Sequence, residues 1–224
     1  NLDNTVEELE NAIRELLTLE EINLEIQKAT EKVELPDGFK TLEGLLFPAQ
    51  YSFTPGSTAL EALQSMVRSF EIKTDTLALT KDSSFTAQQL VIIASIIQAE
   101  GDTKDFAKVS RVIRNRLKIG MPLQMDSTVH YLKKDRGKIF LSTASTLLKS
   151  PYNTYRNYGL PPGPIGNPES KALYAAANPA AGDWIYFITV APFDTRFTSS
   201  NDEFSKWKIE YKKNLRDGLF RSEK

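Results

Sequence analysis

The sequence predicts an α+β fold, a mainly helical domain built around one buried central helix, with a small β-sheet or hairpin towards the C-terminus. Three observations carry this reading. Residues 90–97 are an almost unbroken apolar run, too uniformly apolar for a helix with a wet face. Flanking segments repeat apolar residues at helical spacing. One run alone, Trp184-Ile185-Tyr186-Phe187-Ile188-Thr189-Val190, has the β-branched and aromatic content of a buried strand.

Taken in order, residues 1–32 are rich in Glu, Leu and Ile, and Leu9, Ile13, Leu16 and Leu17 fall on one helical face. One or two amphipathic helices are expected, their charges forming a solvated face. Leu35-Pro36-Asp37-Gly38 is a break. Residues 42–53 read as an extended segment in which Pro48 restricts Phe47. Pro55-Gly56 turns the chain, and Ser57 or Thr58 caps a helix to about Phe70, followed by a polar connector over 74–84. Thr86, with Gln89 three residues later, makes a capping box for the central helix, which ends at Glu100-Gly101.

Asp102 is placed to cap the next helix, with Asp105 in its first turn. Its apolar stripe is Phe106, Val109, Val112, Ile113 and Leu117, with Arg111, Arg114 and Lys118 outward, and Gly120-Met121-Pro122 stops it. Residues 123–131 are either extended or a short helix capped by Asp126. Residues 133–138 form a basic turn. The stretch 150–168 is stiffened by Pro and opened by Gly, and it reads either as a PPII-like spacer or, from its three tyrosines and Asn153, as the wall of a groove. Asn167 caps a short helix from Pro168 to about Asn178. After the strand, 192–195 turns into a second strand at Arg196-Phe197-Thr198. Asn201 caps the last helix, whose Phe204, Trp207, Tyr211 and Leu215 read as packing against the core.

The 224 residues are 41% hydrophobic and 25% charged, ordinary for a globular protein, and the length permits one large domain or one domain with a smaller appendage. A net charge of −1 gives no reason to expect nucleic acid or an anionic membrane surface as main partner. Cysteine is absent, which removes disulfides and thiolate metal sites. The single histidine, His130, argues against histidine metal sites and Ser-His-Asp catalysis. No signal peptide and no apolar run of membrane-spanning length is present in the sequence. A start at Asn1 rather than Met leaves room for an upstream targeting or membrane segment.

Glu100 is the residue that suggests chemistry. It follows Ile93, Ile96 and Ile97 at spacings of seven, four and three, so helical geometry puts all four on one face. A carboxyl group in apolar surroundings resists ionisation and keeps a proton near neutral pH, as a general acid must. On spacing alone, a helix-end Glu reaching solvent past Gly101 is the commoner outcome. Asp102, Asp105 and Asp126 are the nearby second carboxylates, and none has a spacing that requires a pair. Asn115, Gln124, Asn153 and the tyrosines could hydrogen-bond a polar ligand, although a buried Asn more often satisfies backbone groups.

Five separated blocks occur in order: Leu42-Glu-Gly-Leu-Leu-Phe-Pro-Ala-Gln-Tyr, Ala94-Ser-Ile-Ile-Gln-Ala-Glu100, Arg111-Val-Ile-Arg-Asn-Arg-Leu-Lys-Ile-Gly-Met-Pro-Leu-Gln-Met-Asp126-Ser-Thr, Tyr152-Asn-Thr-Tyr and Gly159-Leu-Pro-Pro-Gly-Pro-Ile. Over roughly residues 33–212 the chain resembles the MltG (YceG-like) family of endolytic peptidoglycan transglycosylases. The resemblance implies nonhydrolytic cleavage of the β-1,4 bond between N-acetylmuramic acid and N-acetylglucosamine, with Glu100 as catalytic acid and then base, and with no metal or organic cofactor. Many members have a second Glu two positions earlier, where this chain has Gln98. Some have histidines around the final hairpin and last helix, where Arg196 and Phe204 stand here. The implied groove residues are Asn115, Gln124, Asp126, Tyr152, Asn153 and Tyr155.

The implied organisation is a helical lead-in over 1–40 as the remnant of a LysM-like subdomain, a catalytic domain over 41–217 and a tail over 218–224. The implied setting is the extracytoplasmic face of the bacterial membrane, reached through an upstream helix, with peptidoglycan strands as substrate and peptidoglycan synthases as candidate partners. A lysozyme-like hydrolase using Asp126, and a noncatalytic wall-binding or divisome-scaffold module, are the competing readings.

Overall fold

A computed structural model of the chain describes residues 19–77, 79, 84–134, 141 and 144–220. The stripe at Leu9, Ile13, Leu16 and Leu17 and residues 135–138 of the basic turn lie outside them. The elements are α1 (Leu19–Lys32), α2 (Ala59–Thr76), α3 (Ala87–Glu100), α4 (Phe106–Lys118), α5 (Asp126–Lys133), α6 (Ser170–Ala177), β1 (Tyr186–Ala191), β2 (Asp194–Thr198) and α7 (Asn201–Arg216), with 3-10 turns at Thr103–Asp105 and Ser145–Leu147. The fold is α+β as expected.

α3 is the centre. Thr86 and Gln89 exchange bonds across its N-terminus at 3.3 and 2.9 Å, the capping box read from sequence. Every residue from Leu90 to Ile97 is buried, and α4, α5 and α6 pack around the helix. Fully burying an Ile or Leu side chain is worth about 1.5–3 kcal/mol. With Leu90, Ile93, Ile96 and Ile97 all at 0% exposure, that burial outweighs the weak helix preference of β-branched residues.

Two polar residues on this helix, Ser95 and Gln98, hold the stiff loop. Ser95 accepts a hydrogen bond from the Ile165 N–H at 3.0 Å while its hydroxyl donates to Ile92. The Gln98 amide donates to the Asn167 carbonyl at 3.1 Å and accepts from the Glu169 N–H at 2.7 Å. Asn167 does not cap α6 as its place in the sequence suggests. Its side chain instead accepts from the Gly44 and Leu46 N–H groups at 2.8 and 3.0 Å, and α6 starts at Ser170. Residues 42–53 are therefore not extended throughout. They open with a turn, in which Leu45 bonds back to Leu42 at 3.0 Å and Gly44 has φ +92°. That turn lies so close to Val91 and Pro164 that a Cβ on Gly44 would sit 2.6 Å from Pro164 Cγ.

α2 is capped by Thr58 and runs six residues past Phe70 to Thr76, because no Gly or Pro interrupts it and Thr74 bonds back to the Phe70 carbonyl. Asp102 precedes the 3-10 turn, but its side chain makes no capping bond. α4 ends as read: Gly120 at φ +67° lets its own N–H reach the Leu117 carbonyl and the Met121 N–H reach the Arg116 carbonyl. Arg111 and Arg114 do not simply face water. They donate to the carbonyls of Ala180 and Ala176, so Arg114 satisfies the C-terminal end of α6.

β1 and β2 pair antiparallel, Tyr186 opposite Thr198 and Ala191 opposite Asp194, as the expected hairpin. The strand begins at Tyr186 rather than Trp184. Val190 is its only fully buried residue, since a two-stranded sheet cannot seal both faces. α7 is capped by Ser200 rather than Asn201 and packs on β1; it contains no buried residue, so its aromatic stripe does not dock on the core as read.

Two substitutions test this frame. Gly44→Ala combines backbone strain with overpacking and should cost about 2–4 kcal/mol in urea unfolding, whereas Gly56→Ala, at φ +88° in open space, should cost about 1–2 kcal/mol. Gln98→Glu replaces a donor with a carboxylate facing the Asn167 carbonyl. Relative to wild type it should lose about 1–3 kcal/mol at neutral pH, and acidification should restore the loss because the introduced carboxyl, once protonated, can donate again.

Candidate active site

A cleft of about 970 Å³ opens beside the C-terminal end of α3. Its floor is Ser95, Gln98 and Glu100, one side is the start of α5 with Tyr155, and the far wall comes from β1 and α7. Glu100 leaves α3 at its last residue, where Gly101 turns extended, so the side chain stands at the cleft floor. The residue keeps partial exposure at the mouth while its carboxyl group is withdrawn among protein atoms.

That carboxyl is raised above the ordinary glutamate range, chiefly by loss of water and further by the negative charge of Asp126. Two neighbours oppose the shift. Ser127 favours the anion first through its neighbouring hydroxyl and then through its backbone N–H, which donates to Oε1 at 2.9 Å, and the Arg116 charge favours it as well. Loss of water is the largest of these effects and the net direction is upward.

The rest of the site follows from two blocks that interlock. The Thr154 hydroxyl meets the Met125 N–H at 2.9 Å and the Thr128 hydroxyl at 3.0 Å, and the Thr154 carbonyl accepts from the Gln124 N–H at 3.0 Å. This ties the Tyr-Asn-Thr-Tyr block to the start of α5. Gln124, at φ +48° between buried Leu123 and Met125, is turned outward into the cleft. Asp126 is the first residue of α5 rather than its cap, and it accepts a hydrogen bond from the Tyr155 hydroxyl. Burial first, and this bond second, raise Tyr155 far above the usual phenol range, so it stays a donor.

Arg116 is 5% exposed and donates to the carbonyls of Ile185, at 2.6 Å, and Leu123. Its guanidinium lies 5.9 Å from the Tyr186 ring, which stacks on Phe204 at 4.8 Å.

Of the residues expected in the groove, Gln124, Asp126 and Tyr155 line the cleft together with Glu100. Three do not. Asn115 donates to the Gly182 and Trp184 carbonyls and anchors the approach to β1. Asn153 is fully buried and donates to Thr146 and Leu148, the backbone-satisfying role common for Asn. Tyr152 packs its ring 5.2 Å from Tyr131 against the core. Arg116, Ser127, His130, Tyr186, Phe204 and Tyr211 are cleft residues that sequence reasoning missed. Arg116 had a signal, a charge three residues after Ile113 on the buried face of α4. Phe204 and Tyr211 had none, because an aromatic stripe facing a cleft has the same spacing as one facing a core.

A model of the YceG-like family matches residues 1–210. An endolytic murein transglycosylase of Bacillus subtilis is 36% identical over 174 residues, which is 76% of this chain and 48% of that protein. One of Streptococcus pneumoniae is 32% identical over 168 residues, 72% of this chain and 30% of that protein. The chain thus spans half or less of the length of these relatives. A crystal structure of a yceG-like protein of Listeria monocytogenes superposes with a TM-score of 0.69 at 30% identity, covering 81% of this chain and 62% of that one. Family model, relatives and fold agree, and the chain belongs to the YceG-like family.

Proposed function

We propose that this chain is the catalytic unit of an endolytic murein transglycosylase, cleaving the β-1,4 bond between N-acetylmuramic acid and N-acetylglucosamine inside a peptidoglycan strand. The observation that carries the reading is the Glu100 carboxyl: withdrawn from water, raised in pKa, and set in a cleft large enough for several sugar rings. The names of the relatives give the substrate class.

In this reaction protonated Glu100 donates to the departing glycosidic oxygen as the C1–O bond breaks and positive charge grows at the muramyl C1. The resulting carboxylate takes the proton from the muramyl C6 hydroxyl, whose oxygen closes on C1 to leave a 1,6-anhydro end. One residue serves both transfers, and no water enters the product. Asp126, kept as acceptor by Tyr155, faces the same charge. Gln124 is placed for the polar substituents of the sugars.

The proposal extends to setting and partners: action at the outer face of the membrane, on nascent strands, beside peptidoglycan synthases, with 1–40 as a reduced LysM-like lead-in, 41–217 as the catalytic domain and 218–224 as a tail. Among the described residues no helix is long and apolar enough to cross a membrane.

Asp126 in the same cleft gives one observation in favour of a hydrolase with a second carboxylate. Mass analysis of the ends formed from purified glycan strands separates the two. Anhydro ends are expected, with cleavage abolished in Glu100→Gln; ends that have gained water, or activity surviving that substitution, overturn the transglycosylase. Activity should fall as pH rises through the raised Glu100 pKa, because the acid form is lost. The same shift makes folding favour the protonated carboxyl. Glu100→Gln should therefore be more stable than wild type above the unfolded-state pKa of about 4.3, with the difference closing below it, in thermal unfolding at several pH values.

A further inference from the structure

Ser127 carries a feature that the reaction scheme leaves unused. Its residue is 9% exposed and its hydroxyl makes no hydrogen bond, although it neighbours the Glu100 carboxyl and favours that group's ionisation. A buried hydroxyl without a partner is uncommon and calls for a reason. Here its own backbone N–H already bonds the Glu100 carboxyl, at Oε1. Ser127 is the second residue of α5, so that N–H is one of the four the helix cannot satisfy internally, at the end whose dipole favours a negative charge.

Resting on the transglycosylase reading, we propose that Ser127 is the positioning residue of the catalytic acid. Its N–H fixes Oε1 of Glu100 as the accepting oxygen, so the transferable proton resides on Oε2. Its hydroxyl turns onto the carboxylate once that proton has left. In a neutral carboxylic acid the carbonyl oxygen is the better acceptor, and an N–H held at Oε1 selects that oxygen as the carbonyl. When Oε2 gives its proton to the leaving oxygen, the new anion must survive until the C6 hydroxyl returns a proton. During that interval the Ser127 hydroxyl gains the partner it lacks in the resting enzyme. The proton count balances: one leaves Oε2 with the departing sugar and one returns to Glu100 from the C6 oxygen.

The other titratable or charged groups around the cleft are Arg116 from α4, Asp126, His130 and Tyr131 from α5, Tyr155 from the stiff loop, Tyr186 from β1 and Tyr211 from α7. Arg116 and Asp126 act on the Glu100 charge in opposite senses. Ser127 is the uncharged donor in contact with it.

The test is Ser127→Ala, which keeps the N–H and removes only the hydroxyl, with Ser127→Thr as the rescue. Expected for Ser127→Ala is unchanged or higher thermal stability, kcat down about tenfold with KM unchanged, and the descending pH limb moved up by about one unit, the tenfold equivalent in proton affinity. Ser127→Thr should restore both. Carbon-13 NMR titration of the Glu100 carboxyl gives a readout independent of turnover and should show the same upward move. Wild-type kcat together with an unmoved titration would overturn the proposal. So would a loss of activity expressed in KM with the titration unchanged. If the wild-type protein cleaves no glycan yet Glu100 titrates higher in Ser127→Ala, the transglycosylase reading fails while the hold of Ser127 on the acid stands.

Discussion

The burial of α3 from Leu90 to Ile97 is the constraint on which the rest depends. A helix apolar on every side cannot shift or rotate without exposing Ile or Leu to water, so whatever stands at its end is held still. Ser95 and Gln98 are its polar exceptions within the buried stretch and the turn after it, and each is spent on the backbone of residues 165–169. Asn167 passes that hold on to the turn at Gly44. Three of the family's sequence blocks thus meet within a few bonds of one another, and Glu100 is presented from a platform that none of them can leave alone.

The electrostatics of the acid are a balance of opposed effects. Removal of water and the Asp126 charge keep the proton on; the Ser127 N–H and Arg116 ease its departure. In the proposed reaction one residue is acid first and base a moment later, and such opposition serves it, since a strong bias either way would stall one half. Arg116 is itself fixed by two backbone carbonyls, so its charge acts from a constant position. Tyr155, as a permanent donor, holds the Asp126 side chain in place by its hydrogen bond.

Much of this was legible in the chain. The capping box, the uniform apolar run, the Gly120 stop and the hairpin all follow from local rules, and they appear where those rules put them. The cleft was legible at Glu100, Gln124, Asp126 and Tyr155, which line it together. It was misread at Asn115, Tyr152 and Asn153, because a polar residue beside a motif has the same letter whether it meets a ligand or a carbonyl. Asn167 shows the same ambiguity: Asn before Pro-Glu-Ser is a fair cap by sequence, yet its partners come from more than a hundred residues away. Long-range hydrogen bonds leave no periodic trace. The cleft wall of Phe204 and Tyr211 was lost for a different reason, since which way a stripe faces is set by the packing of β1 beneath it.

α7 contributes no sealed residue, yet it supplies part of the wall opposite the acid. It is tied down by ring stacking on β1 and by the fork of Arg196 to Asp194 and Glu210, bonds that lie partly in solvent. Side chains there can change with little penalty to the fold, whereas those of α3 cannot. The proposed acid therefore stands on the helix whose middle is fully buried, and part of the opening before it is formed by a helix with no buried residue.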